Sequence, residues 1–381
     1  MPNIQEVFRK SYDILYQELK PSDEQAKAAN DIINCKSEEL GYNISTCSDC
    51  GHSERHYNSC RNRHCPSCQA IPREVWIDSR KAEVFDAAYF HVVFTLPAEL
   101  NPLIYANQDL IYSLMHKCVS QTLLQLSLDK RYLGATPGII QILHTWGQNL
   151  SYHPHIHCIV SGAGLTRDKK LLYSRKKFFI PVKVLRNMFR GKFLAHLKQL
   201  YNKNRLVFSK SCNDLQILTQ WNSFINALYE KDWIPYIKET FNGNGNAIDY
   251  LGRYTHKIAI SNSRIKEVTE DTVTFSAKDY RTGKQKNITL SHLEFMRRFL
   301  MHILPKRFHK IRYYGLLSNR FKKDNLKLIA TLIGKALFVA TLKTMKKDEI
   351  LKALWNIDIH RCPSCGGSNV GPPGSIYPLR L

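Results

Sequence analysis

Three histidines at alternate positions, His153, His155 and His157, open an apolar run that continues through Cys158-Ile159-Val160 and closes at Gly162 and Gly164. β-formers after Pro154, bounded by glycines, predict a strand. Alternate side chains share a face in a strand, so His155 and His157 project from one side while Ile156, Cys158 and Val160 face the other. Two imidazoles so placed can grip one metal ion. The plain alternative is a pair of strand histidines bonded to their neighbours, and the pair alone does not separate the two readings.

Cysteines supply a second metal-type signal. Cys47-Ser48-Asp49-Cys50-Gly51 and Cys65-Pro66-Ser67-Cys68 are two C-x2-C knuckles with fourteen residues between them. That spacing matches a zinc ribbon, in which tetrahedral Zn²⁺ takes four thiolates, and predicts Cys47, Cys50, Cys65 and Cys68 as one ligand set with one zinc per chain. Cys60 and His64 lie between the knuckles and are further candidates, replacing a ligand or completing a second site, with ordinary surface residues as the plain alternative. Arg55, Arg61, Arg63 and Arg73 make the module basic. Near the end, Cys362-Pro363-Ser364-Cys365 is half a site, open to completion by His360 and another residue, by a second chain, or not at all. Clustered cysteines in a chain without a signal-peptide core point to metal rather than disulfides.

A third pattern is a pair of tyrosines. Asn246 can cap a short helix over 247–255 that carries Tyr250 and Tyr254 at i,i+4, on one face. Gly252 between them is costly in a helix interior and points to close backbone approach. With nineteen tyrosines in the chain, one such pair also arises by chance. A tyrosine hydroxyl, with a pKa near 10, is a weak nucleophile at neutral pH and needs metal polarisation, a base or cationic neighbours. Arg253, His256 and Lys257 are near enough in sequence to help.

These residues need elements to position them. Residues 1 to about 40 have helical spacing. Phe90–Leu96 reads as a buried strand, about 102–128 as a helical region, and Gly138–Trp146 as a second strand. The short link 147–149 makes that strand an antiparallel partner of the histidine strand. Residues 169–201 are basic and aromatic (Arg175, Lys176, Phe178, Phe179, Phe189, Phe193), which suits either a groove for single-stranded nucleic acid or an amphipathic helix with core aromatics. Strands follow over 257–268 and 272–276, with a hairpin return over 285–290. Residues 297–347 are densely basic. The expected divisions are 1–84, N-terminal helices and zinc ribbon; 85–318, a catalytic domain; and 319–381, a basic helical tail with a knuckle.

The bulk properties narrow the partner. Fifty-five Lys+Arg against thirty-two Asp+Glu give a net charge of +23 over 381 residues, which favours a polyanion. No apolar run approaches the roughly 20 residues of a membrane helix, and no basic amphipathic helix stands out, so a membrane partner is not expected. A cytoplasmic protein is expected.

Taken together, the chain resembles the rolling-circle, two-tyrosine transposases of bacterial insertion sequences, the family numbered ninety-one. The matching segments are the knuckles with Ser59-Cys60-Arg61-Asn62-Arg63-His64-Cys65-Pro66, then Phe90–Pro97, His153-Pro154-His155-Ile156-His157, Tyr250-Leu251-Gly252-Arg253-Tyr254 and Arg312–Leu317. They run in the family's order from about residue 40 to 320. The resemblance implies an α+β fold: an HUH-type antiparallel sheet flanked by helices, preceded by a small zinc ribbon and followed by a basic helical tail. It implies His155 and His157 as ligands of a catalytic Mg²⁺ or Mn²⁺, with Zn²⁺ structural in the ribbon. Tyr250 and Tyr254 would be the nucleophiles that form a 5′-phosphotyrosine link. The substrates would be single-stranded DNA at the element's ends and target DNA, in a bacterial cytoplasm near the nucleoid. A third ligand is expected, with His91, His144, Gln148 and His256 as candidates. The competing readings are a replication initiator or relaxase of the same chemistry, and a zinc-ribbon DNA-binding regulator without catalysis.

Overall fold

The computed structural model describes residues 2–174, 180–233, 235–241, 252, 258–279, 282–368, 370–371 and 374–376. In chain order, helices α1 (Ile4–Leu19) and α2 (Asp23–Ile33) lead into strands β1 (Tyr42–Thr46) and β2 (Ser53–Tyr57) and helix α3 (Ala70–Lys81). Strand β3 (Tyr89–Thr95) is followed by α4 (Asn101–Ala106), α5 (Gln108–Leu128), β4 (Thr136–Trp146), β5 (Tyr152–Leu165) and β6 (Leu171–Tyr173). Next come α6 (Val182–Asn202), α7 (Leu218–Glu230) and β7 (Tyr236–Phe241), then β8 (Ile265–Val268), β9 (Thr272–Lys278), β10 (Gln285–Ser291) and α8 (His292–Leu300). The chain ends with β11 (Ile311–Gly315), α9 (Lys322–Ile333), α10 (Lys347–Trp355) and β12 (Gly374–Ile376).

The centre is an antiparallel sheet in the order β11-β4-β5-β3-β7, with β6 added to β5. Its faces obey the period-2 rule. Ile156, Cys158 and Val160 of β5, with Ile139 and Leu143 of β4 and Phe90, Val92 and Phe94 of β3, are buried in one core with α4 to α7. Ile140, Ile142 and Ile159, of opposite parity, form a separate core with Val84, Phe85, Leu326 and Ile329. His144, His155 and His157 have this second parity, so they continue an apolar face to its polar end. The expected antiparallel pairing of β4 and β5 is present, with His144 directly opposite His155.

Two smaller sheets flank this centre. β8, β9 and β10 form an antiparallel unit whose core is shared with α1, α2 and α8, including Phe8 against Phe299 at 5.4 Å between ring centroids. The N-terminal helices start cleanly: Asn3 accepts from Glu6 N–H at 3.0 Å, and Ser22 and Gln25 close a capping box. The third sheet has the order β12-β1-β2, so the end of the chain returns to the N-terminal hairpin.

Two expectations change. The strand anticipated from residue 257 narrows to β8, because a 3₁₀ turn at Asn262–Arg264 precedes it. In the basic aromatic stretch, Phe189 and Phe193 are wholly buried on α6 and pack on Trp233 at 5.7 and 5.6 Å. They are core residues rather than exposed rings for bases, while 175–179 lie outside the described residues. Among the described residues no helix is long and apolar enough to cross a membrane.

Candidate metal centres and the cleft between them

At the end of the central sheet, β4 and β5 bring His144, His155 and His157 together, with one ring nitrogen of each within 4.8 Å of the others. Register explains the grouping. His144 faces His155 across the strand pair, and His157 is two residues further along the same face. Their ring centroids are 4.7 Å (His144–His157), 4.9 Å (His155–His157) and 5.5 Å (His144–His155) apart.

The surroundings orient the rings. His155 Nδ1 donates to the His153 carbonyl at 2.6 Å, which turns Nε2 outward as the lone-pair nitrogen. His157 Nδ1 bonds His91 Nε2 at 2.8 Å. His91, one of the four residues considered as a third ligand, is bonded to His157 instead, and His144 is the candidate that clusters with His155 and His157. Trp146 stacks on His144, with centroids 4.5 Å apart and planes at 19°. Desolvation pulls the His155 imidazole down to about 4, so it is neutral at physiological pH. A neutral imidazole offers a lone pair of the kind that ligates a divalent cation.

The cysteines gather into two groups, and neither is the expected ribbon set. Cys65 and Cys68 join Cys35 and Cys60, while Cys47 and Cys50 join Cys362 and Cys365. The reason lies in where the hairpin and the helix point. Cys47 and Cys50 sit in the turn of the β1–β2 hairpin, whose sheet continues into β12. Cys65 and Cys68 sit in the 3₁₀ turn that starts α3, close to the end of α2 and Cys35. In the first group Cys68 Sγ is 3.5 Å from Cys35 Sγ and 3.7 Å from Cys60 Sγ. Its thiols compete for charge: hydrogen bonding from Cys60 pulls Cys35 down, and sharing with Cys35 pushes Cys65 and Cys60 up. Four thiolates reach full ionisation there only beside a cation.

His64 is not in that group. Its buried Nε2 accepts the Leu304 N–H at 3.3 Å, and desolvation drives its pKa well down. Neighbouring Arg63 donates to the carbonyls of Leu304, Pro305 and Phe308, so this part of the module docks on the turn after α8 rather than facing solvent.

Between the cysteine module and the histidine centre lies a cleft of about 570 Å³, lined by Gln69 and Arg73, by Trp146 and Gln148, and by Gly252 and Arg264 among others. Gly252 is buried and helical, and a Cβ placed there would lie 2.3 Å from Ile77 Cδ1 of α3. The close backbone approach expected at this glycine is present. Tyr250 and Tyr254, with Arg253, His256 and Lys257, lie outside the described residues. Cys35 had no sequence signal, being a lone cysteine twenty-five residues before Cys60. His144 was visible only as one of four candidates, because strand register singles it out and the sequence does not show register.

Residues 138–325 match the model of a family described as "Putative transposase", and residues 7–96 match the "Transposase zinc-binding domain". Over 373 residues the chain is 39% identical to "Putative transposase y4qJ" of Sinorhizobium fredii, covering 96% of this chain and 93% of that protein. It is 30% identical over 355 residues to the transposase for insertion sequence element IS801 of Pseudomonas savastanoi pv. phaseolicola, covering 91% and 83%. A solved conjugative relaxase, TrwC in complex with oriT DNA, aligns over 66% of this chain and 91% of that one at 14% identity and a TM-score of 0.26, too distant for anything to be drawn from it. The chain belongs to the IS91 family of insertion-sequence transposases and carries the family's zinc-binding domain at its N-terminus.

Proposed function

We propose that this transposase nicks and rejoins single-stranded DNA at the ends of its mobile element through a 5′-phosphotyrosine intermediate. The observation that carries the reading is the gathering of His144, His155 and His157 at a sheet end whose flanking Trp146 shares a cleft with Gly252, the centre of the Tyr250–Tyr254 run. In the reaction the tyrosine oxygen attacks phosphorus, the P–O3′ bond breaks, and the departing 3′-oxygen takes up a proton. Energy of the phosphodiester is kept in the new link, so a free 3′-hydroxyl can later reverse the step without ATP. Tyr250 and Tyr254 would divide the two cleavages needed to free one end and join another.

The three histidines would hold Mg²⁺ or Mn²⁺. A divalent ion there supplies Lewis-acid charge next to the scissile phosphate. The His153 carbonyl holds His155 with Nε2 as its lone-pair nitrogen, and the bond to His91 orients the ring of His157, so little reorganisation is needed when substrate arrives. Arg73 and Arg264 line the cleft and place positive charge along a phosphate backbone. Cys35, Cys60, Cys65 and Cys68 would hold a structural Zn²⁺ that fixes the start of α3, the helix against which Gly252 packs. A chain of net charge +23 suits element ends and target DNA in a bacterial nucleoid.

The test is a cleavage assay on labelled single-stranded DNA from the element ends with Mg²⁺ or Mn²⁺. The product should carry a 3′-hydroxyl that a polymerase extends. His155→Ala/His157→Ala should abolish cleavage while DNA binding persists. A 3′-phosphate product, or undiminished cleavage by the double variant, would remove this reading.

A further inference from the structure

We infer that Cys47, Cys50, Cys362 and Cys365 form a second tetrathiolate site for a tetrahedral ion of the zinc class, which clasps the C-terminal segment to the N-terminal hairpin. The inference depends on neither the tyrosines nor the histidine centre.

Four sulfurs from distant parts of the chain lie within 4.8 Å of one another. Across the two knuckles, Cys47 Sγ is 3.7 Å from Cys365 Sγ and Cys50 Sγ is 3.6 Å from Cys362 Sγ. A tetrahedron with Zn–S bonds of about 2.3 Å has edges of about 3.8 Å, whereas a disulfide would need about 2.05 Å. The observed separations are those of co-ligands.

The two knuckles are also built alike. Gly51 N–H donates to the Cys47 carbonyl at 2.9 Å, and Gly366 N–H donates to the Cys362 carbonyl at 2.9 Å. Cys47 N–H donates to the His52 carbonyl and Cys362 N–H to the Gly367 carbonyl, each at 2.9 Å. The glycine after each second cysteine is left-handed, with φ of 71° at Gly51 and 74° at Gly366, which only glycine adopts without strain. Each turn thus points two sulfurs the same way. The Cys65–Cys68 turn differs: it is a 3₁₀ turn that runs on into α3. Like knuckle pairs with like, and the odd one takes Cys35 and Cys60 instead.

The neighbouring backbone supports the clasp. β12 pairs with β1, Cys47 bridges Val370, and Gly371 N–H donates to the Thr46 carbonyl at 2.9 Å. The intervening tail is anchored on its way, since the Thr341 and Leu342 N–H groups both donate to the buried Asp78 carboxylate of α3 at 2.8 Å. An ion at this site would therefore close a loop of 312 residues between Cys50 and Cys362 and hold the chain's two ends as one module.

The test uses the full chain purified without chelator. Metal analysis should give two zinc per chain, falling to one in Cys362→Ser/Cys365→Ser; an unchanged content in that variant would overturn the inference. A second measurement needs no variant. Cys50 and Cys365 are exposed and, as free thiols, would react with a maleimide at once. As ligands, they should be protected and become alkylated together with Cys47 and Cys362 in step with release of one zinc by a chelator. Rapid alkylation of Cys50 and Cys365 while both zinc ions remain bound would equally overturn it.

Discussion

His157 and His91 are bonded ring to ring, Nδ1 to Nε2 at 2.8 Å, with their planes only 9° apart. The bond ties a residue of β5 to one of β3 two registers away and holds the ring of His157 within the cluster it forms with His144 and His155. Removing this support by His91→Ala should weaken binding of the divalent ion 10–100-fold, as loss of such outer partners does. Cleavage titrated against Mn²⁺ should show a raised half-saturating concentration, with DNA affinity unchanged. An unaltered metal dependence would mean that His91 merely fills space.

Cys35 stands alone in the sequence, yet its sulfur is 3.5 Å from that of Cys68. Cys35→Ser should remove one zinc and lower the thermal midpoint, because an ion held by this group would tie the end of α2 to the start of α3. Metal analysis beside a melting curve checks it, and full zinc content in the variant would put Cys35 outside the site.

Gly252 has no room for a side chain, since its Cβ would fall 2.3 Å from Ile77 Cδ1 and 2.4 Å from Cγ1. Gly252→Ala should cost about 1–3 kcal/mol of stability, as overpacking does, and depress cleavage through the tyrosines two residues to either side. Ile77→Ala should restore much of what Gly252→Ala removes. A double variant no better than the sum of the single changes would contradict this packing.

Two buried histidines should make stability fall in acid. Desolvation holds His302 at about 4 and His116 at about 3, below the usual 6.5. His302 is bonded to Thr145 and to the Leu150 carbonyl, and His116 to Gln141, as neutral rings. Between pH 6.5 and these lowered values the unfolded chain binds more protons, so stability is full above 6.5 and falls as the pH drops. At pH 5 each should have withdrawn about 2 kcal/mol. Denaturant unfolding at pH 7.5 and pH 5 measures it, and His302→Gln should flatten the dependence. Equal stability at both pH values would refute the account.

The histidine strand was legible because a period of two needs only local sequence, but its ends were not: β5 starts before Pro154 and runs on through Gly162 and Gly164 to Leu165 instead of closing at the glycines. The β4–β5 hairpin was legible from its short link. Ligand grouping was not, because it depends on which strand ends and turns meet in space. A spacing of fourteen residues between Cys50 and Cys65 fits a ribbon well, but β12 beside β1 supplies a partner for the first knuckle from more than three hundred residues away. The aromatic residues of α6 showed the same limit: Phe189 and Phe193 read equally as base platforms or core, and burial against Trp233 made them core. In each case local chemistry named the right residue types, and long-range packing chose their partners.

Covalent attack by a tyrosine is tested most sharply by mapping the protein–DNA link itself. Purified chain, incubated with single-stranded element-end DNA and Mn²⁺, should give an adduct that survives denaturation. Mass spectrometry of its digested peptides should place a DNA 5′-phosphate on Tyr250 or Tyr254, and Tyr250→Phe/Tyr254→Phe should yield no adduct while still binding the DNA. Cleavage that proceeds without any adduct, or an adduct on another residue that survives the double substitution, would contradict the account.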